Sequence, residues 1–219
     1  MTDRDQLIMF VVGAAVQPLP ETFLISKILL CQHSAFYKMS LQGDWGESYK
    51  RCIELPKGNP RIFGSFIEYI KTGNTEMLWL TGANAENVQT ARTDMHHIIS
   101  LYGLADMCQV IPLKDRILDV FINLPVYSQA PLMFEHIERI YQVARPESKI
   151  RRWALDKWQR NGSQLSDEQE KQCPRFAIAL EHAMNESGPS ERIQMNDFTC
   201  AYHEHAGNIR CPLHQWFVA

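Results

Sequence analysis

No run of eighteen apolar residues occurs in this chain of 219 residues. A bilayer-spanning helix needs about twenty, so no membrane span is expected. An excess of positive charge is missing too. Lys and Arg number 22 against 25 Asp and Glu, for a net charge of −3 and a pI near 6.2. Direct nucleic-acid binding, which wants a basic face, is therefore not expected. The phosphate-loop, dinucleotide and serine-hydrolase signatures, each built on fixed glycine spacings, do not occur. No internal repeat is present, which excludes a propeller or solenoid. The apolar stretch from Leu7 to Val16 lacks the basic start of a secretory signal, since Asp3 and Asp5 precede it, and Leu7 to Gly13 reads as a first strand. The Asp, Glu and Ser residues form no paired arrangement suited to acid–base work.

What is present is ordinary globular usage, 45% hydrophobic and 21% charged. A chain of this length buries roughly 70% of its unfolded surface and needs no covalent staples. The six cysteines, at 31, 52, 108, 173, 200 and 211, read as thiols of a reducing compartment, cytoplasm or nucleus. Cys31 and Cys108 lie on apolar helical faces, where a buried free thiol is the usual state.

The densest local signals run from Phe23 to Gly73. Phe23-Leu24-Ile25 is a short strand-like run, and Ser26 follows in N-cap position. Leu29 and Leu30 face a core. Ser34 caps a second short helix through Met39. A polar loop, Gln42 to Ser48, carries one Trp, Trp45. Arg51 to Leu55 alternates polar and apolar, the period of a half-buried strand. Asn59-Pro60 is an N-cap with Pro at the first helical position. Ile62, Phe63, Phe66, Ile67 and Ile70 make one stripe, ended by Gly73 as a left-handed C-terminal cap.

This order resembles the BTB/POZ domain, and more closely the short fungal BTB proteins. The similarity rests on Phe23, Lys27 and Leu30, on His33-Ser34 with Phe36-Tyr37, and on Gly43, Trp45, Glu47 and Ser48. It continues in Ile53, Leu55 and Pro56, in Phe63 to Gly73, and in Leu101-Tyr102-Gly103-Leu104-Ala105-Asp106. The resemblance covers about half the chain. It implies an α/β fold with a small mixed sheet and a helical cluster. Strands are expected near 7–13, 22–25 and 51–55, and helices near 27–32, 35–41, 60–71, 94–108 and 113–123. It implies a non-catalytic scaffold or adaptor whose partners are proteins, one candidate being a cullin. Six residues precede the first strand, so the swapped homodimer built on an extra N-terminal helix is not expected.

For the later helices the sequence speaks on its own. Thr93 caps and Asp94 complements the helix dipole. Ile98, Leu101, Ala105 and Cys108 then recur at helical spacing. Pro112 begins the next helix, with Leu113, Ile117, Val120 and Phe121 inward. Leu124-Pro125 marks a boundary. The domains expected are 5–124, BTB-like; 125–185, a helical extension; and 186–219, a Cys/His- and aromatic-rich tail. In the extension Pro131 starts one helix and Pro146 a second, stopped by Asn161-Gly162. Ser166 opens a third, with Phe176, Ile178 and Leu180 after Pro174. The basic run Lys149, Arg151, Arg152, Lys157 and Arg160 is read as the solvated face of its amphipathic helix.

Two constellations carry functional expectations. The tail holds five Cys or His residues between Cys200 and His214. Cys200, His203, His205 and Cys211 supply four ligands of the type zinc takes in a structural site, with His214 as a spare. The competing reading is a tail packed down by Phe198, Tyr202, Trp216 and Phe217. A zinc-dependent enzyme built on the same cluster is the rival class of function. Trp45 is the candidate interface anchor. His96 and His97, adjacent on one helix, point about 100° apart and are read as one partly exposed and one packed side chain.

Overall fold

The computed structural model describes residues 6–42, 51–74, 88–123, 132–162, 164–186 and 202–204. Three strands form one sheet: β1 Leu7–Val12, β2 Glu21–Ser26 and β3 Cys52–Leu55. The order is β2-β1-β3. β2 runs antiparallel to β1, with Leu7 opposite Ser26 and Val12 opposite Glu21. β3 runs parallel to β1, with Met9 opposite Cys52. Alternation sorts the faces, as strand geometry requires. Ile8, Phe10 and Val12 are buried while Leu7 is exposed.

Nine helices occur among the described residues: α1 Lys27–His33, α2 Ala35–Gln42, α3 Pro60–Thr72, α4 Val88–Met107, α5 Ile111–Asn123, α6 Phe134–Val143, α7 Lys149–Arg160, α8 Asp167–Gln172 and α9 Pro174–Glu186. The chain is thus a mixed α/β protein with a small three-stranded mixed sheet. α3 is built as its ends predict. The Asn59 side chain accepts from the N–H groups of Arg61 (3.0 Å) and Ile62 (3.3 Å). Gly73 closes the helix at φ 66°, donating its N–H to the Tyr69 carbonyl. Phe63 on α3 packs at 4.9 Å between ring centres on Phe10 of the sheet and at 5.3 Å on Phe23. Ser34 caps α2 as expected: its Oγ accepts from Tyr37 N–H at 3.1 Å. It also donates to the Cys108 carbonyl at 2.6 Å, which ties α2 to the end of α4. Burial pushes the Cys108 thiol up to about 12, so it is held protonated as a core residue.

α4 lies between α3 on one side and α6 on the other. Gly103 makes that second contact possible. A Cβ there would lie 2.7 Å from Val143 Cβ and 3.1 Å from the Val143 carbonyl oxygen. Beyond α4, the buried residues Ile137, Ile140, Ile150, Trp153, Trp158 and Phe176 join the same apolar core. The Phe121 and Trp153 rings stack at 4.9 Å. Burial of side chains of this size contributes about 1.5–3 kcal/mol each.

Several expectations are corrected. α4 begins at Val88, so Thr93 lies within the helix instead of capping it. Ser26 occupies the N-cap position of α1 but makes no side-chain cap bond. α6 starts at Phe134 and α7 at Lys149, three residues after the prolines expected to open them. Pro146 instead forms the turn between those helices. The third helix of the extension is two, broken at Cys173. Ser166 does cap the first of them, and on the second Phe176 and Leu180 are buried while Ile178 is exposed. The expected boundary at 124–125 and the stretch 75–87 lie outside the described residues.

Candidate functional site

The densest polar construction lies where α4 ends. Gln109, at φ 55°, turns the chain, and Val110 N–H reaches back to the Ala105 carbonyl at 2.9 Å. This leaves Asp106 facing inward, with its side chain 1% exposed. Lys114, on the first turns of α5, is equally buried and places Nζ 2.7 Å from Asp106 Oδ1. The same Nζ contacts Glu204 Oε1 at 2.5 Å and lies 5.8 Å from the centre of the Tyr102 ring. Arg145, after α6, closes the group. Its Nε and Nη2 donate to Asp106 Oδ2 (3.0 Å) and Oδ1 (2.8 Å), and its backbone N–H donates to Oδ2 (3.2 Å). Two cations thus meet two carboxylates. Burial alone would raise the Asp106 pKa, but the Arg145 and Lys114 hydrogen bonds outweigh it and bring the group down to about 2. A buried cluster of this kind is tolerable only because every charge has a partner and hydrogen bonds besides.

Glu204 reaches this network from the tail, and the two residues before it are docked alongside. Glu204 N–H donates to Asp115 Oδ1 at 3.0 Å. His203 Nε2 lies 3.1 Å from Asp119 Oδ1, with both side chains almost fully buried. Asp115 and Asp119 are four residues apart, on one face of α5. The Tyr202 hydroxyl donates to Asp156 Oδ2 on α7 at 2.6 Å. Burial, followed by that bond, pushes the phenol pKa up. Three consecutive tail residues therefore bridge α5, α7 and the Asp106–Lys114 pair. The arrangement uses its charges to hold a segment of chain in place.

Of the four zinc ligands and the interface anchor that the sequence nominated, the structure describes His203 alone, and of the aromatic tail anchors Tyr202 alone. Cys200, His205, Cys211, the spare His214 and Trp45 lie outside the described residues, as do Phe198, Trp216 and Phe217. His203 directs Nε2 at Asp119, so a zinc shared with Cys200, His205 and Cys211 would have to displace Asp119 or use Nδ1. Tyr202 is 1% exposed, as an aromatic anchor of a packed tail should be. The basic run is not simply a solvated face. Arg151 is buried and bonds the Tyr141 and Ala144 carbonyls, at 2.9 Å and 2.6 Å from Nη2. Its guanidinium lies 4.4 Å from the centre of the Tyr141 ring. It thereby satisfies carbonyls at the C-terminal end of α6. The Asp106–Lys114–Arg145–Glu204 network was not foreseen. Its one sequence signal is Lys114, which interrupts the apolar face of α5.

No protein-family model matches this chain, and no curated protein matches it.

Proposed function

We propose that the chain is a BTB-like, non-catalytic interaction module that works as a scaffold or adaptor for protein partners in the cytoplasm or nucleus. The reading is supported by the resemblance of residues 23–73 and 101–106 to that family. The element order β1-β2-α1-α2-β3-α3 agrees with the order that resemblance implies. The observation that carries it is an apolar corner left at the surface. Ile28, Phe36 and Met39 on α1 and α2 are 42%, 41% and 73% exposed, and Ile111 at the start of α5 is 43% exposed. Ile28 and Ile111 line a groove of about 640 Å³ between these elements with Cys31, Ala35 and Pro112 and the polar Gln32, His33, Lys38 and Gln109, while Phe36 and Met39 stand outside it on α2. Exposed apolar groups gathered in one place mark contact surfaces more often than chance exposure does. Among the described residues no helix is long and apolar enough to cross a membrane.

The sharper form of the proposal is a substrate adaptor of a cullin-type ubiquitin ligase. The test is binding of the purified chain to a cullin N-terminal domain, with the double variant Ile28→Glu, Ile111→Glu as control. Binding by the parent that the variant loses, at unchanged thermal stability, supports the adaptor reading. No binding at tens of micromolar removes the cullin form. Partners recovered equally by parent and variant remove this corner as the contact surface.

A further inference from the structure

We propose that His96, Glu135 and His136 form a binding site for a divalent transition-metal ion of the zinc class, between α4 and the first turn of α6. Their donor atoms all lie within 4.8 Å of one another. His96 Nε2 and His136 Nε2 each stand 3.7 Å from the same oxygen, Glu135 Oε1. That spacing is longer than a hydrogen bond. It is close to the roughly 3.3 Å that separates ligands around a tetrahedral ion with bonds of about 2.0 Å. Two imidazoles and one carboxylate suit a borderline ion such as zinc rather than magnesium or calcium, which take oxygen ligands. A fourth position is left for water.

The donors sit on elements held in register independently of any ion. Gly103 and Val143 bring α4 and α6 into close contact. Arg139 on α6 donates twice to Ser100 Oγ on α4, at 3.1 Å and 3.0 Å. His136 is buried, while the His96 and Glu135 side chains are 39% and 35% exposed, so an ion can enter from solvent. His97 is turned to the opposite partner, Ser65 on α3, at 3.0 Å, and takes no part.

Two features set the affinity. Arg139 lies one turn beyond Glu135 and its charge opposes that of a cation. His136 Nδ1 faces the Met133 N–H at 3.3 Å; coordination through Nε2 places the ring proton on Nδ1, so this long hydrogen bond must yield. Micromolar binding is therefore expected, weaker than a closed structural zinc site.

The test is calorimetric titration of the full chain with zinc chloride, alongside His96→Ala, Glu135→Gln and Cys200→Ser. The expected result is binding that His96→Ala and Glu135→Gln each weaken by roughly tenfold or more, while their metal-free melting temperatures stay with the parent. Cys200→Ser, which reads any metal held by the tail, should leave this binding in place. Two variants at partly exposed positions guard against a folding artefact at either one. No binding at submillimolar zinc overturns the proposal, and so does a titration that both His96→Ala and Glu135→Gln leave unchanged.

Discussion

Asp106 and Arg145 are 39 residues apart in sequence and meet through three hydrogen bonds, two from the guanidinium and one from the Arg145 backbone N–H. Lys114 supplies a fourth donor to the same carboxylate. A carboxylate has about four acceptor sites, and here each has a donor. One side chain thus joins the end of α4, the start of α5 and the connection from α6 to α7. The three partners are not equivalent: Asp106 and Lys114 are 1% exposed, and Arg145 is 48% exposed.

That asymmetry orders the cost of removing each side chain. Asp106→Ala leaves the buried Lys114 with Glu204 as its one counter-charge among the described residues and should cost about 3–5 kcal/mol. Arg145→Ala removes a half-exposed partner but also two charge-assisted hydrogen bonds to a buried carboxylate, and should cost about 1.5–3 kcal/mol. Urea unfolding of both variants checks the order. Equal losses would mean that the exposed guanidinium, not the buried lysine, dominates the network.

Acid should find the same residue. The Asp106 carboxyl is held at about 2 in the folded chain, against an ordinary value near 3.9 when unfolded. A depressed folded value means that the stabilisation is complete above about pH 5 and is lost as pH falls from there through about 2. The loss is about 2–3 kcal/mol. The stability of Asp106→Asn should be flatter than that of the parent across this window. Parallel pH profiles would show that other carboxylates carry the acid sensitivity.

Tail docking has its own signature. Glu204→Ala removes a second partner of Lys114 and should cost about 1–2 kcal/mol, and Tyr202→Phe, which deletes one hydrogen bond to Asp156, about 1 kcal/mol. Because Asp106 and Glu204 share Lys114, their losses should not add, and a double-mutant cycle should return a coupling of about 0.5–3 kcal/mol. Tyr202 and Asp106 share no partner among the described residues, so that pair should be close to additive. Additivity at Asp106 and Glu204 would break the network into independent contacts.

What the sequence told follows the range of the signals. Asn59, Pro60 and Gly73 act within one helix, and each does what its residue type implies. Ser34 was legible as a cap, but its bond to the Cys108 carbonyl spans 74 residues and leaves no local trace. The same holds for Asp106 with Arg145 and for Lys114 with Glu204. The basic run misled because periodicity reports which face is apolar and not what an arginine does at its edge; Arg151 folds back onto two carbonyls. The sequence implies one partly exposed and one packed side chain at His96 and His97, whereas both are half-buried, and Glu135 and His136 reach His96 only through the pairing of α4 with α6. The tail was flagged by its density of Cys and His, and the part of it described here is held by a tyrosine, a histidine and a glutamate.

The pairing of α4 with α6 can itself be tested at Gly103. Alanine is favoured over glycine inside a helix by about 1 kcal/mol, so Gly103→Ala on a free face would stabilise. Here the new Cβ would sit 2.7 Å from Val143 Cβ, 2.8 Å from its Cγ2 and 3.1 Å from its carbonyl oxygen. A backbone oxygen cannot move aside as a flexible side-chain end does, so the helices must part. Overpacking of this kind costs about 1–3 kcal/mol, which exceeds the propensity gain, and a net loss of about 1 kcal/mol or more is expected. Val143→Ala added to Gly103→Ala relieves only the Cγ2 contact and should recover part of the loss. Thermal unfolding of both variants reads the result. A stabilised Gly103→Ala would mean that α4 and α6 have room to spare, and would loosen the geometry on which the His96 and His136 donors depend.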